Sequence, residues 1–167
     1  MTTKRFTRIA MTAAIYTAVS LALAPLSYGP VQVRIAEALT MLPLIWQPAI
    51  PALTIGCLLT NVIGTATGVT GPIDIVVGTL ATFLAAVCTY RLKDRTVAGI
   101  PLLSILMPVL FNGVFVGTEL AWMLNPGHMM ETIWIYGLEV AAGELISVIV
   151  GYILVRQLKA KELFEEK

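Results

Sequence analysis

Long apolar runs, cut by proline, glycine and charged punctuation, leave this chain few folds to adopt. Parsing on those breaks gives apolar segments at about residues 6–24, 36–47, 50–66, 73–92, 97–124 and 132–156. The breaks fall at Pro25 to Pro30, at Gln47-Pro48 with Pro51, at Gly68 to Pro72, at Lys93 to Arg95, and at Asn125-Pro126-Gly127-His128. Most runs approach the roughly 20 apolar residues that a helix needs to cross a bilayer. Composition agrees, with 57% of the 167 residues hydrophobic and 13% charged. Soluble domains run nearer about 45–50% and about 25%. The expected fold is all-α: one integral membrane domain over residues 1–167, a compact bundle of six transmembrane helices.

The second segment is the short one. Its roughly 12 residues rise only about 18 Å, against a hydrocarbon core of about 30 Å, so a tilted or partial span is expected. Charge parity counts it as crossing. With six spans, Lys4, Arg5 and Arg8, the loop of Arg91, Lys93 and Arg95, and the tail of Arg156, Lys159, Lys161 and Lys167 share one side. That is ten of the eleven basic residues, and the positive-inside rule makes that side the cytoplasm, both termini included. Five spans would turn the Arg91 loop and the tail outward. The basic start followed by an apolar run has the look of a secretory signal. Pro25 would sit directly after the cut, however, so the run is expected to stay as a first helix.

Several function classes drop out. A net charge of +1 supplies no basic patch for nucleic acid. Cys57 and Cys88 lie inside apolar runs and read as small buried hydrophobes, with no metal site or cofactor expected. No nucleophile–base pair marks an enzyme. No phosphate-binding loop is present, so a transporter built on this chain would take ATP energy from a partner. The paired, interrupted half-helices of an inverted-repeat carrier are also missing.

What remains is a set of polar residues in apolar surroundings. An ionisable group at the centre of a transmembrane helix costs about 2.5–3.5 kcal/mol on insertion scales and marks function by default. Glu119, Glu139, Glu144, Asn61 and Asn112 lie inside segments, with Glu37 and Asp74 at segment starts. Depth counted along each helix puts Asn61, Glu119, Trp122, Trp134, Tyr136 and Glu139 in the outer half, Asn112 near the middle and Glu144 deeper. Asn112, Glu119 and Trp122 are expected to share one face. Arg34 is the only basic residue left outside. Around it Val31, Val33 and Ile35 alternate with Gln32 and Arg34, predicting an extended loop folded back as a lid. The expected substrate site, opening outward, comprises Arg34, Glu37, Asn61, Asp74, Asn112, Glu119, Trp122, Trp134, Tyr136 and Glu139. A channel filter would need a ring of like residues, which is absent. Each residue also has a plain structural role to fall back on. Arg34 and Glu37 can pin one another, Asp74 can serve a helix N-terminus, and Asn61 and Glu144 can join helices. The tryptophans can sit in an interfacial belt. His128 reads as incidental.

Ala10, Ala14, Ala18 and Ala22 recur at every fourth position of the first segment. Such a strip lets another backbone approach closely, either within the bundle or from a partner.

These features together resemble the substrate-binding (S) components of energy-coupling-factor transporters. The stretches VQVRIAEALTMLP, GCLLTNVIG and DIVVGTLATFLAAVCTY are similar to the QueT-type family of queuosine-precursor transporters, and the likeness runs from residue 6 to about 156. It implies an S component that captures a queuosine precursor or queuine, a 7-deazaguanine, outside the cell. It implies an energising module of a transmembrane T protein and two ATPases, and a motif whose residues fall on Arg34, Glu37, Asn61 and Asp74. The chemistry agrees. A deazaguanine presents adjacent N–H donors that a carboxylate can accept, a cationic arm that favours a second acid, and a flat ring that can stack. Glu119, Glu139, Trp122, Trp134 and Tyr136 would supply those parts. The alternatives are a proton-coupled carrier, using the acids as relays, and a structural subunit with no ligand.

Overall fold

The computed structural model describes residues 2–24 and 34–161. Of the extended loop expected as a lid over Val31 to Ile35, Val31 to Val33 lie outside these residues, and Ile35 already begins a 3₁₀ segment instead of extending the loop. Five α-helices and a buried 3₁₀ segment make the architecture: α1 Thr3–Ala22, the 3₁₀ segment Ile35–Leu44, α2 Ala49–Ala66, α3 Asp74–Leu92, α4 Leu102–Leu124 and α5 Met129–Ala160, with one 3₁₀ turn at Pro126–His128. No strand occurs among the described residues, only a single bridge between Val97 and Ile100. That bridge moves one boundary. The fifth segment was expected to begin at 97, but residues 97–100 form a tight turn and the helix starts at Leu102, after Pro101. Proline disfavours helical geometry in the residue before it, which accounts for the late start.

Four helices are long and apolar enough to cross a membrane: α2, α3, α4, and α5 together with its preceding turn. The α1 helix has 20 residues, but Lys4, Arg5 and Arg8 and its hydroxyl-bearing face keep it out of that group. Its inward side is Thr12, Ala13, Tyr16, Thr17 and Ser20. The second segment behaves differently from the rest. It spans 10 residues, about 20 Å at the 3₁₀ rise, and packs against all five α-helices. Ala36, Glu37, Ala38, Thr40, Met41, Leu42 and Pro43 are all buried. It is the axis of the bundle rather than one of its staves.

The distribution of polarity is inverted relative to a soluble protein. Arg34, Glu37, Asn61, Asp74, Asn112, Glu119 and Glu144 are buried, whereas Leu58, Val62, Val76, Leu80, Leu110, Val114, Ile149 and Ile153 are exposed on the helix surfaces. In water that much exposed apolar surface would drive association. In lipid it is the expected arrangement, because hydrocarbon tails solvate leucine and the interior shelters the charges.

Close packing at the α4–α5 crossing rests on glycine. A Cβ on Gly117 would stand 2.5 Å from Gly137 Cα and 2.7 Å from its nitrogen, and one on Gly113 would stand 3.2 Å from the Gly137 carbonyl oxygen. Backbone therefore lies directly on backbone. The Gly-x-x-x-Gly spacing of Gly113 and Gly117 is the sequence signal for such a crossing.

Candidate functional site

The α2–α3 connection, the start of α3, the second half of α4 and the first half of α5 meet at one end of the bundle. Between them lies a cavity of about 540 Å³, within the range of small-molecule sites. Its walls are apolar: Val69, Val116, Leu120, Met123, Leu124 and Val140. Its polar groups are Arg34, Thr70, Asp74, Glu119, Tyr136 and Glu139. A ligand that fits must combine a flat or bulky apolar body with several polar points.

Arg34 enters from the head of the 3₁₀ segment and Asp74 from the first turn of α3. Their charged atoms are 3.7 Å apart, with both side chains largely buried. An acid in a first helical turn is favoured by the amide dipoles there, so Asp74 serves the helix and the cation at once. Asn61 holds this corner together from α2. Its Nδ2 donates to the Asp74 carbonyl at 2.7 Å, and its own carbonyl accepts from Thr70 Oγ1 at 3.3 Å. Asn61 is thus a brace behind the cavity, not part of its lining.

Gly78, one turn into α3, makes room for the arrangement. A Cβ there would collide with Asp74 Oδ1 and stand 3.0 Å from Asn61 Nδ2. Gly78→Val is expected to lower stability by about 1–3 kcal/mol through overpacking, read as thermal unfolding in detergent. Unchanged unfolding would show that the Asp74 carboxylate moves aside freely.

Glu37 does not reach the cavity. It is 0% exposed, and one of its carboxylate oxygens accepts a short hydrogen bond from the Tyr16 hydroxyl of α1. Thr40 Oγ1 donates to its backbone carbonyl at 2.5 Å. Cys57 is buried beside this group and accepts from Thr82 Oγ1 at 3.3 Å; Cys88 is half-buried. Tyr16 went unnoticed in the sequence, since a tyrosine in an apolar run gives no sign of which polar group it will meet.

The remaining expected residues divide. Glu119 lines the cavity, is 7% exposed, and has Oε2 without a hydrogen-bond partner among the described residues. Tyr136 and Glu139 line it from α5, with the Tyr136 hydroxyl accepting from Asn125 Nδ2 at 2.7 Å. Asn112 is buried below the cavity, on the α4 face that carries Glu119. Trp122 and Trp134 are not in the cavity. They are 52% and 75% exposed and border shallow apolar grooves on the outer surface. Trp122 borders a groove that Glu119 also lines, so the two do share a side of α4, but Trp122 is exposed where Glu119 is buried. Among the described residues, Tyr136 is the one aromatic side chain lining the cavity.

The alanine strip lies elsewhere. Ala10, Ala14, Ala18 and Ala22 are all exposed, on the side of α1 opposite the residues that pack inward.

Among the described residues, no cluster of three or more His, Cys, Asp or Glu is placed to hold a metal ion. A family model described as QueT transporter matches residues 6–160. No curated protein and no solved structure matches the chain.

Proposed function

The chain belongs to the QueT transporter family, and on that premise we propose that it is the substrate-binding S component of an energy-coupling-factor importer. Membership makes it a transporter of queuosine precursors and a multi-pass membrane protein, not an enzyme. The finer reading is that it captures a 7-deazaguanine outside the cell and hands it inward with the help of a transmembrane T protein and two ATPases. The six-segment topology goes with it, with the second segment crossing as the buried 3₁₀ axis and both termini in the cytoplasm.

One observation carries this reading. Among the described residues the cavity holds three acids, Asp74, Glu119 and Glu139, against one cation, Arg34, and that cation already pairs with Asp74. A ligand with N–H donors and a cationic arm answers the imbalance, and the apolar walls suit a flat ring. Arg34, Asp74, Glu119, Tyr136 and Glu139 would meet the ligand; Glu37, Asn61 and Asn112 would support them from behind. The exposed alanines of α1 support a docking role for that face, since they lie opposite the side of the helix that packs inward.

Purified protein without any partner is expected to bind 7-aminomethyl-7-deazaguanine, measured by calorimetry. Glu119→Gln removes a charged acceptor, and the loss of a charge-assisted hydrogen bond should cost about 1–3 kcal/mol, roughly five- to a hundredfold in Kd. Wild-type affinity in the variant would remove Glu119 from the site. Uptake in cells should persist under an uncoupler while ATP is held constant. Collapse under those conditions would favour proton coupling instead.

A further inference from the structure

One turn inward of the cavity, the bundle contains a carboxyl and an amide that face one another and keep hydrogen-bonding capacity to spare. Asn112 is 0% exposed and Glu144 is 1% exposed. The amide lies against the carboxyl. Even so, Asn112 Nδ2, Asn112 Oδ1 and Glu144 Oε1 make no well-formed hydrogen bond to any described residue. Buried polar atoms are nearly always paired, because leaving them unpaired is costly.

Their place relative to the cavity is set by helix geometry. Val116 on α4 and Val140 on α5 line the cavity. Asn112 and Glu144 stand one turn farther in on the same two helices, about 6 Å deeper. The two valines thus stand between the cavity and the polar pair along α4 and α5. The α4–α5 crossing at Gly117 and Gly137 holds these two helices in register beside the valines.

The chemistry of the pair is specific. A carboxylate can accept from two adjacent N–H groups, and an amide can donate to a carbonyl oxygen beside them. That sequence of donor, donor and acceptor is the edge of a guanine-type ring: exocyclic amine, ring N–H and oxo group. We propose that Asn112 and Glu144 form an inner specificity subsite that reads this edge, with the ring passing between Val116 and Val140. Glu144 accepts from the exocyclic amine and the ring N–H, and Asn112 donates to the oxo group. The cationic arm of the ligand stays in the outer cavity, by Glu119 and Glu139. The inference rests on the reading of the chain as a deazaguanine transporter and assigns the ring to residues outside the visible cavity.

Two ligands and three variants test it. Affinities are measured by calorimetry for 7-aminomethyl-7-deazaguanine and for the analogue lacking the exocyclic amine. The wild-type protein is expected to prefer the full ligand about tenfold or more. Glu144→Gln should weaken the full ligand more than the analogue, which keeps only the ring N–H contact to this residue, so the preference collapses. Asn112→Ala should weaken both ligands alike, because both keep the oxo group. A merely structural role for Glu144 would weaken both ligands equally in Glu144→Gln and leave the preference standing, which would overturn the proposal. Val140→Leu guards against a Glu144→Gln that does not fold: it leaves the pair intact and narrows the entrance, and should weaken the full ligand about tenfold or more. Unchanged binding in Val140→Leu would also overturn it. A wild-type protein that binds neither compound would instead refute the deazaguanine reading itself, and a wild-type protein that binds both equally would refute the inner subsite alone.

Discussion

If α1 docks the energising module proposed above, Ala14→Leu is expected to leave ligand binding at its wild-type value while uptake and recovery of that module fall together. The strip Ala10, Ala14, Ala18 and Ala22 is exposed along its whole length, so a larger side chain there points away from the packed face of α1. Against a partner helix the outcome differs. Association within lipid depends on close packing of small residues, since no hydrophobic effect separates protein from tails. A leucine holds the two backbones apart, and a tenfold or greater loss of complex corresponds to about 1.4 kcal/mol or more. Ala13→Leu is the contrasting control. Ala13 is 3% exposed, and its carbonyl lies within 3.0 Å of where a Cβ on Gly56 would stand. That variant should lose stability and ligand binding along with uptake. An Ala14→Leu protein that assembles and transports normally would show that the strip faces only lipid.

Gly117→Leu is expected to abolish the folded bundle. A Cβ at that position already overlaps the Gly137 backbone, and backbone cannot rotate away as a flexible side chain does. The two helices would have to separate by ångströms, and they carry opposite walls of the cavity, with Val116, Glu119 and Met123 on α4 and Tyr136, Glu139 and Val140 on α5. The loss should exceed about 3 kcal/mol, the upper part of the range for overpacked cores. It would be read as early thermal unfolding and loss of a single peak in size-exclusion chromatography. Val114→Leu, on the exposed side of the same helix, should stay within about 0.5 kcal/mol of wild type. A monodisperse Gly117→Leu protein with normal unfolding would mean that α4 and α5 can repack without this contact.

Much of the candidate site was legible before the fold was known, because a charge in an apolar run is informative wherever it lies. Arg34, Asp74, Glu119, Tyr136 and Glu139 were marked by chemistry and depth, and the bundle gathers them around one cavity. Glu37 and Asn61 were marked for the same reason, but they meet Tyr16 and the Asp74 backbone instead of open space. The tryptophans show the limit of counting along one helix. Trp122 lies only three residues from Glu119, yet it is exposed while Glu119 is buried. The angular width of the buried face depends on how closely the neighbouring helices approach, and glycines at the crossing, not the residues in question, set that distance.

The amino-acid sequence by itself determined that this chain is helical and membrane-embedded and that it belongs to a transporter family. Those properties follow from apolar run length, from the cost of burying charge, and from residues that are near one another in the chain. Only the tertiary structure decided that Ile35–Leu44 runs through the centre as a 3₁₀ axis, that the alanines of α1 face outward, and that Asn112 and Glu144 meet inside the bundle. Each of these is a relation between segments distant in sequence. Helix period fixes which residues share a face, but the partner of that face is selected by crossing angle and close backbone contact, and neither is written in any single segment.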